Sequence, residues 1–285
     1  MKDNLVYHYT KWKTIDSILC DCYKNGKQNI ILRGSHIRYM NDPTEMELGY
    51  DVLKEMLVDI EDELNRKEGF RLSRFFKDYG NAKECKQAIM NEMNAYNDIP
   101  YVVSFSHNGS SLPMWEMYGD KGRGVCLAFD ENEVKLYQEK NLARYHDAVY
   151  ENHVNDQKLK NFLKEIYDDC YKSRAKAFTQ DEMVFELGLL CLAISPIIKH
   201  KCYKYEKEAR LFKCGVERRD IKHDNSLRPY VEFPFPKSAL KKIILGPCTH
   251  FETEKVSLLM KLETCGFVNA KDMIEFSDVP YRLLL

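Results

Sequence analysis

The sequence is organised around one short stretch, YVVSFS at residues 101–106, which is the clearest β-strand signal in the chain. Pro100 precedes it and a loop rich in Asn, Gly and Ser follows it, and such residues are typical of strand boundaries. Because side chains alternate along a strand, Ser104 and Ser106 lie on one face, and two aromatic residues and a valine lie on the other. The stretch therefore predicts a strand with one apolar and one partly polar face.

Outward from this strand, predicted strands and helices are interspersed. Further strands are predicted at residues 5–10, 30–33, 125–129, 143–150, 209–214, 228–233, 242–245 and 273–276. Helices are predicted at residues 14–19, 114–118, 157–174, 182–199 and 252–265, and over a charged stretch from about 44 to 97 that Gly69 interrupts. No repeat or low-complexity linker divides the chain. We therefore predict one α+β domain over residues 1–285, with a mixed or split β-sheet and helical insertions near 44–98 and 155–200.

Composition excludes several classes of protein. The 43 basic and 44 acidic residues give a formal net charge of -1, so no overall field attracts a polyanion. No apolar run reaches the roughly 18 residues that span a bilayer, and the first residues lack the pattern of a signal peptide, so we predict a cytoplasmic protein with no membrane partner. The ten cysteines are scattered singly, and their spacing does not predict a metal site. The oligomeric state is left open.

The first segment that could carry chemistry is YHYT, residues 7–10. On a strand, His8 and Thr10 share a face, so two hydrogen-bonding side chains project together between Tyr7 and Tyr9. A lone histidine is more often a structural residue than a functional one. Its aromatic neighbours favour a binding function here.

The second segment runs from Ser104 to Gly119 and joins the polar face of the strand to an aromatic helical turn. Trp115 and Tyr118 stand three residues apart, so they lie on one side of that turn and could line a pocket for a flat ring, with Ser106 nearby. Alternatively, the two aromatic residues simply cover the core, which is where large aromatics most often lie.

The third segment is YEKEARLF, residues 205–212. If the segment is extended, Glu206, Glu208 and Arg210 share one face, which directs two carboxylates and a guanidinium into one cleft. A solvated edge strand would have a similar pattern. The motif NDPxE at residues 41–45 predicts a turn and a helix start, and its function is left open.

The chain contains a series of short motifs, namely YHYT at 7–10, NDPxE at 41–45, FS at 105–106, MWxxY at 114–118, GVCLxF at 124–129, YExExR at 205–210 and PYR at 280–282. Together these motifs resemble a bacterial family called domain of unknown function 2971. The likeness spans nearly the whole chain, and it implies no activity.

The opening strand also resembles the His-x-Thr strand of ADP-ribosyltransferases, whose further signature is a pocket aromatic and a glutamate late in the chain. This resemblance implies a similar sheet core and NAD as the substrate, in a candidate toxin or antiviral defence effector that acts on an unidentified target. It gives His8, Tyr9, Thr10, Ser106, Trp115, Tyr118 and Arg210 to NAD binding and Glu206 or Glu208 to catalysis. Tyr9 departs from the small residue often found after the histidine.

Two other classes of function compete with this one. The first is a nucleic-acid or nucleotide binding module, with or without hydrolytic activity, that uses Arg33, Arg38, Arg123 and Arg210 beside stacking aromatics. The second is a non-enzymatic regulatory protein whose three segments are only packing motifs. The absence of a Walker loop and of the Gly-x-Gly-x-x-Gly, Gly-x-Ser-x-Gly and His-Glu-x-x-His patterns argues against P-loop NTPases, Rossmann dehydrogenases, α/β-hydrolases and zincins.

Overall fold

A computed structural model describes residues 4–24, 29–79, 81–95, 99–150 and 156–282. The first three residues of the chain, the end of the first predicted insertion at 96–98 and the start of the second at 155 lie outside these ranges. In the part that is described, no helix is both long and apolar enough to cross a membrane.

Most of the strands lie close to where the sequence predicts them, whereas the strand at 198–199 falls within a predicted helix and the sequence predicts no strand at 222–223. The strands are β1 Leu5–Thr10, β2 Asn29–His36, β3 Tyr101–Ser106, β4 Val125–Asp130, β5 Arg144–Asp147, β6 Val149–Tyr150, β7 Ile198–Lys199, β8 Glu208–Lys213, β9 Lys222–His223, β10 Pro229–Pro236, β11 Leu240–Leu245 and β12 Ile274–Phe276. Ten of them form one sheet, and β6 and β7 form a separate parallel pair. Within the large sheet β11 and β12 are parallel and the other pairs are antiparallel, which confirms the predicted mixed sheet.

The helices surround this sheet and confirm the α+β class. They are α1 Ile15–Lys24, α2 Glu45–Glu63, α3 Arg74–Asp78, α4 Ala82–Ala95, α5 Leu112–Met117, α6 Glu131–Lys140, α7 Gln157–Tyr171, α8 Gln180–Ile194 and α9 Phe251–Thr264. The predicted charged helical stretch is divided into α2, α3 and α4, with a 3₁₀ turn at Glu68–Phe70.

The sheet divides along one edge of β3. On its other edge β3 pairs with β8 over its full length, from Tyr101 to Ser106. On the dividing edge only the first two residues of β3 pair with β2, and only Ser106 pairs with β1, through Tyr7. Among the described strands, residues 103–105 therefore have no strand partner on that edge, and β1 and β2 diverge beside them.

Two apolar cores cover the two faces of β3. Tyr101, Val103 and Phe105 pack in a core with α1, α6 and α9, whereas Val102 packs in a core with α2, α4, α7 and α8. The alternation predicted for residues 101–106 is therefore confirmed. It places the helices of the two predicted insertions together on one side of β3.

Two helices differ from the prediction. The prediction that a helix continues to residue 199 is wrong, because α8 ends at Ile194 and Pro196, which has no amide hydrogen to donate, lies in a 3₁₀ turn before β7. No helix was predicted at α6, which begins where the side chain of Asp130 accepts a hydrogen bond from the amide of Asn132. Few apolar residues mark this helix, so its pattern in the sequence is weak.

Candidate functional site

A cavity of about 210 Å³ opens where the sheet divides beside β3. Four stretches of the chain line it, and they contain Tyr7, His8, Tyr9, Arg33, Ser35, Tyr39, Met40, Asn41, Val102, Ser104, Phe105, Met114, Tyr118, Lys199, Glu206 and Glu208. All three segments singled out in the sequence contribute residues to this lining. The cavity is the place where they meet.

His8 occupies the gap in the strand pairing. Its Nδ1 lies 2.9 Å from the carbonyl oxygen of Ser104, one of the β3 residues without a strand partner on this edge. Burial lowers the pKa of His8 and outweighs the hydrogen bond to Ser104, so the imidazole is neutral near pH 7. Because a carbonyl can only accept, Nδ1 carries the proton and Nε2 is left as a hydrogen-bond acceptor.

The aromatic segment divides into one cavity residue and one core residue. Tyr118 lines the cavity, and its hydroxyl donates to Oε1 of Glu206 at 2.7 Å. Trp115 is fully buried, and its ring packs edge-on against Tyr9 with the centroids 5.0 Å apart. Tyr118 therefore fits the interpretation in which the aromatic residue lines a pocket, and Trp115 fits the alternative in which it covers the core.

Glu206, Glu208 and Arg210 would share one strand face only if the third segment were extended throughout, and it is not. Lys201–Glu206 is a 3₁₀ helix, Lys207 takes a left-handed conformation at φ 44°, and β8 begins only at Glu208. Glu206 and Glu208 therefore converge because the chain turns at Lys207. The hydroxyl of Ser106 supports this turn by donating to the carbonyl oxygen of Glu206 at 2.6 Å.

The carboxylates belong to a buried ionic cluster that ends at the cavity. Lys199 Nζ lies 2.5 Å from Oε2 of Glu206 and 2.8 Å from Oε2 of Glu208. Arg210 lies 2.9 Å from Oε1 of Glu208 and 2.5 Å from Oε1 of Glu45. These five side chains are each no more than 3% exposed. The cluster contains three carboxyl groups and two cations, so their charges do not balance when every group is ionised.

The two glutamates nearest the cavity differ in charge environment. Burial raises the pKa of Glu206, and the attraction of Lys199 does not fully offset this effect. For Glu208, burial is outweighed by the charges of Arg210 and Lys199, which lower its pKa to about 2. Burial and then the charge of Glu206 raise the pKa of Tyr118, which keeps that hydroxyl protonated as a donor. Neighbouring positive charges therefore compensate the negative charge of Glu206 less than that of Glu208.

Four of the residues predicted from the sequence as site residues lie outside the cavity lining. Thr10 ends β1 beside β4, and Trp115 lies in the core. Ser106 and Arg210 are fully buried, and they contact the glutamates from behind. Tyr9 does line the cavity, and its hydroxyl donates to the carbonyl oxygen of Asn108 at 2.8 Å.

Sequence reasoning missed Lys199 and Asn41. The apolar pattern predicts a helix that includes Lys199, although Pro196 signals a helix end and a lysine directly after Ile197 and Ile198 is unusual in a buried run. The sequence predicts only a turn at Asn41, yet its Nδ2 donates to the hydroxyl of Tyr118 at 3.1 Å. Nothing in the local pattern indicates that contact, which joins residues 77 apart.

The four arginines of the nucleic-acid alternative lie in different environments. Arg33 is exposed at the cavity, with its guanidinium 4.6 Å from the ring centroid of Tyr230. Arg38 donates to Asn94, Arg123 lies beside Asp120, and Arg210 is buried in the ionic cluster. Arg33 is the member of this set that lines the cavity. Within the described ranges, no group of three or more His, Cys, Asp or Glu side chains could hold a metal ion.

Comparison with known proteins finds a match to one family over part of the chain. A family model described as "Protein of unknown function (DUF2971)" matches residues 114–211, about a third of the chain. The matched region contains Tyr118, Lys199, Glu206, Glu208 and Arg210, and the match supports the resemblance to this family noted in the sequence. No curated protein and no solved structure matches the chain.

Proposed function

We propose that the cavity binds NAD and that the protein cleaves the bond between nicotinamide and ribose, as an ADP-ribosyltransferase or an NAD glycohydrolase. The observation that carries this proposal is the convergence of His8, Tyr118 and Glu206 in one cavity, because they come from three distant parts of the chain. A histidine, an aromatic ring and a glutamate are the groups that the resemblance to ADP-ribosyltransferases implies.

Glu206 is the proposed catalytic carboxylate. Cleavage breaks the C1′–N bond, and the bonding electron pair leaves with nicotinamide, so positive charge develops on the ribose. A preorganised carboxylate in a buried site stabilises such charge. Glu206 suits this function better than Glu208, because two cations contact Glu208 whereas one cation and one hydroxyl contact Glu206.

His8 and Tyr118 are the proposed binding residues. The free Nε2 of His8 accepts a hydrogen bond from a ribose hydroxyl, and the ring of Tyr118 contacts the nicotinamide face. Tyr118 is held in place at its hydroxyl by Glu206 and Asn41, which leaves its ring to contact a ligand.

The size of the cavity indicates which part of NAD it encloses. Its volume of about 210 Å³ is below the roughly 300 Å³ at which sites for drug-sized ligands begin. It therefore accommodates the nicotinamide and its ribose, and the diphosphate extends toward the exposed Arg33. A guanidinium is well suited to bind phosphate oxygens in pairs.

The proposed reaction ends with attack on C1′ of the ribose. In hydrolysis, water forms the new C1′–O bond and loses a proton, which yields ADP-ribose and nicotinamide. In transfer, a nucleophile of a target macromolecule takes the place of water. Both outcomes release nicotinamide, so this product tests the common step.

The first prediction concerns Glu206→Gln, which keeps the size of the side chain and removes its charge. We expect the purified protein to release nicotinamide from NAD, and the variant to do so about 100-fold to 1,000-fold more slowly. Chromatographic assay of nicotinamide measures both rates, and thermal unfolding shows whether the variant is folded.

Glu47→Gln is the matched control, since Glu47 lies in α2 and its carboxylate contacts Lys86 at the surface. We expect this control to keep the wild-type rate. Equal rates in a folded Glu206→Gln variant and in the wild-type protein would show that Glu206 is not catalytic. Failure of the wild-type protein to bind or cleave NAD would refute the proposed function.

A further inference from the structure

The motif NDPxE at residues 41–45 joins the start of α2 to the cavity. Asp42 is its structural centre, because Oδ1 accepts hydrogen bonds from the amide and hydroxyl of Thr44 at 2.9 and 2.6 Å. The other oxygen, Oδ2, accepts a hydrogen bond from the amide of His200 at 3.0 Å. Asp42 therefore ties the start of the helix to the residue that follows Lys199.

Glu45 extends this connection into the buried cluster. Its Oε1 binds Arg210 at 2.5 Å, and Arg210 also donates to the carbonyl oxygen of Pro196 at 2.9 Å. Arg210 in turn contacts Glu208, the neighbour of Lys199. Through Glu45, the motif thus contacts the part of the ionic cluster that lies away from the cavity.

Through Tyr118, Asn41 contacts the side of the cluster that faces the cavity. Its Nδ2 donates to the hydroxyl oxygen of Tyr118 at 3.1 Å, and the same hydroxyl donates to Glu206 at 2.7 Å. The carbonyl oxygen of Asn41 accepts a hydrogen bond from Tyr203 at 3.2 Å, which fixes its backbone. A hydroxyl that accepts one hydrogen bond while it donates another is a stronger donor and has a defined direction.

We infer that Asn41 is a positioning residue of this site, which directs the hydroxyl of Tyr118 onto Glu206. Its effect on the reaction rests on the proposed function, but its effect on Glu206 does not. In the wild-type protein the Tyr118 hydrogen bond stabilises the ionised form of Glu206. Weakening this bond therefore makes Glu206 easier to protonate.

Two variants at this exposed position test the inference in a graded way. Asn41→Ala removes the donor to Tyr118. Asn41→Asp also removes it, and the new carboxylate competes for the Tyr118 hydroxyl and adds negative charge near Glu206. We expect the pKa of Glu206 to rise by about 0.5 in Asn41→Ala and by about 1 in Asn41→Asp.

The other titratable groups around Glu206 are unchanged in these variants. They are Lys199, Glu208, Tyr118, Tyr150, Tyr203 and Tyr205. A graded shift in the two variants therefore reports on residue 41 and its contact with Tyr118. General loosening of the fold does not predict that order.

Carbon-13 NMR of protein labelled at the glutamate carboxyl carbons measures this pKa without any nucleotide. The Glu206 signal is assigned by its loss in Glu206→Gln, and Asn161→Ala is the matched control, because Asn161 is exposed and its side chain accepts a hydrogen bond from Gln157 within α7. The control is expected to match the wild-type protein. A Glu206 pKa that is the same in both Asn41 variants as in this control would overturn the inference.

If the wild-type protein releases nicotinamide, a second measurement applies to the same variants. We expect kcat to fall by about tenfold in Asn41→Ala with a smaller change in KM, and the acid limb of the pH profile to move to higher pH. A pKa shift without any nicotinamide release would leave the positioning contact established and refute the proposed function. The two failures are therefore distinguishable.

Discussion

Glu206 and Glu208 show how two similar residues, two positions apart, acquire different chemistry. Both are buried, and both contact Lys199. Arg210 contacts Glu208, whereas the Tyr118 hydroxyl contacts Glu206. Burial raises the pKa of both carboxyl groups, but the charges of Arg210 and Lys199 outweigh it at Glu208 and lower that pKa, whereas Lys199 and the Tyr118 hydroxyl do not outweigh it at Glu206, whose pKa stays raised. Glu208 maintains the cluster, and Glu206 is left for the proposed catalysis.

This difference predicts how stability depends on pH. The pKa of Glu208 falls from 4.5 to about 2 in the folded protein, so its ionised form contributes stability above pH 4.5. That contribution is lost as pH falls from 4.5 toward 2, and it is of the order of 3 kcal/mol at neutral pH. Glu208→Gln should therefore reduce the free energy of unfolding at neutral pH, and the deficit should shrink in acid.

Urea unfolding at about pH 7 and about pH 3.5 measures the deficit. Glu232→Gln is the control, since Glu232 forms a surface pair with Lys222 at 2.7 Å, and such pairs contribute little. A deficit of the same size at both pH values would mean that Glu208 does not stabilise the fold through its charge.

At the scale of elements, the start of β4 explains the GVCLxF motif at residues 124–129. A side chain at Gly124 would place its Cβ 2.3 Å from the carbonyl oxygen of Thr10 and 2.8 Å from the backbone of Gly119. Backbone atoms cannot move aside as a flexible side chain can. Only glycine therefore allows β4 to begin beside β1, the strand that carries His8.

Gly124→Ala should accordingly destabilise the protein by about 1 to 3 kcal/mol. The matched control is Gly188→Ala in α8, where the nearest atom is Cγ of Glu92 at 3.2 Å, which can move, and where alanine favours the helix. Denaturant unfolding of both variants tests this. A Gly124→Ala variant as stable as the control would show that the close approach of the strands is not required.

The sequence predicts an element correctly where its residue pattern and its contacts in the folded protein favour the same structure. Residues 101–106 alternate in character and have boundary residues at both ends, and β3 has the predicted limits. Lys199 was missed because the apolar residues before it fit a helix as well as they fit a buried strand. Its placement depends on β6, which is distant in sequence and pairs with β7.

At the scale of the whole molecule, the cavity results from the division of the sheet at β3. The sequence indicates His8, Tyr118 and Glu206 as separate candidate residues. It cannot predict where β1 and β2 diverge, because that depends on pairings between distant strands. Because the sheet divides there, the carbonyl oxygen of Ser104 accepts a hydrogen bond from His8 instead of from a neighbouring strand. The same division opens the cavity that the other residues line. The central claim is that this gap is a site for the nicotinamide end of NAD.

A crystal structure of Glu206→Gln with NAD tests this claim most directly, because slow cleavage would leave the nucleotide intact. We predict the nicotinamide and its ribose inside the cavity, with the ring against Tyr118, the ribose near His8 and residue 206, and the diphosphate toward Arg33. NAD bound elsewhere on the protein, or an empty cavity at saturating NAD, would contradict the account.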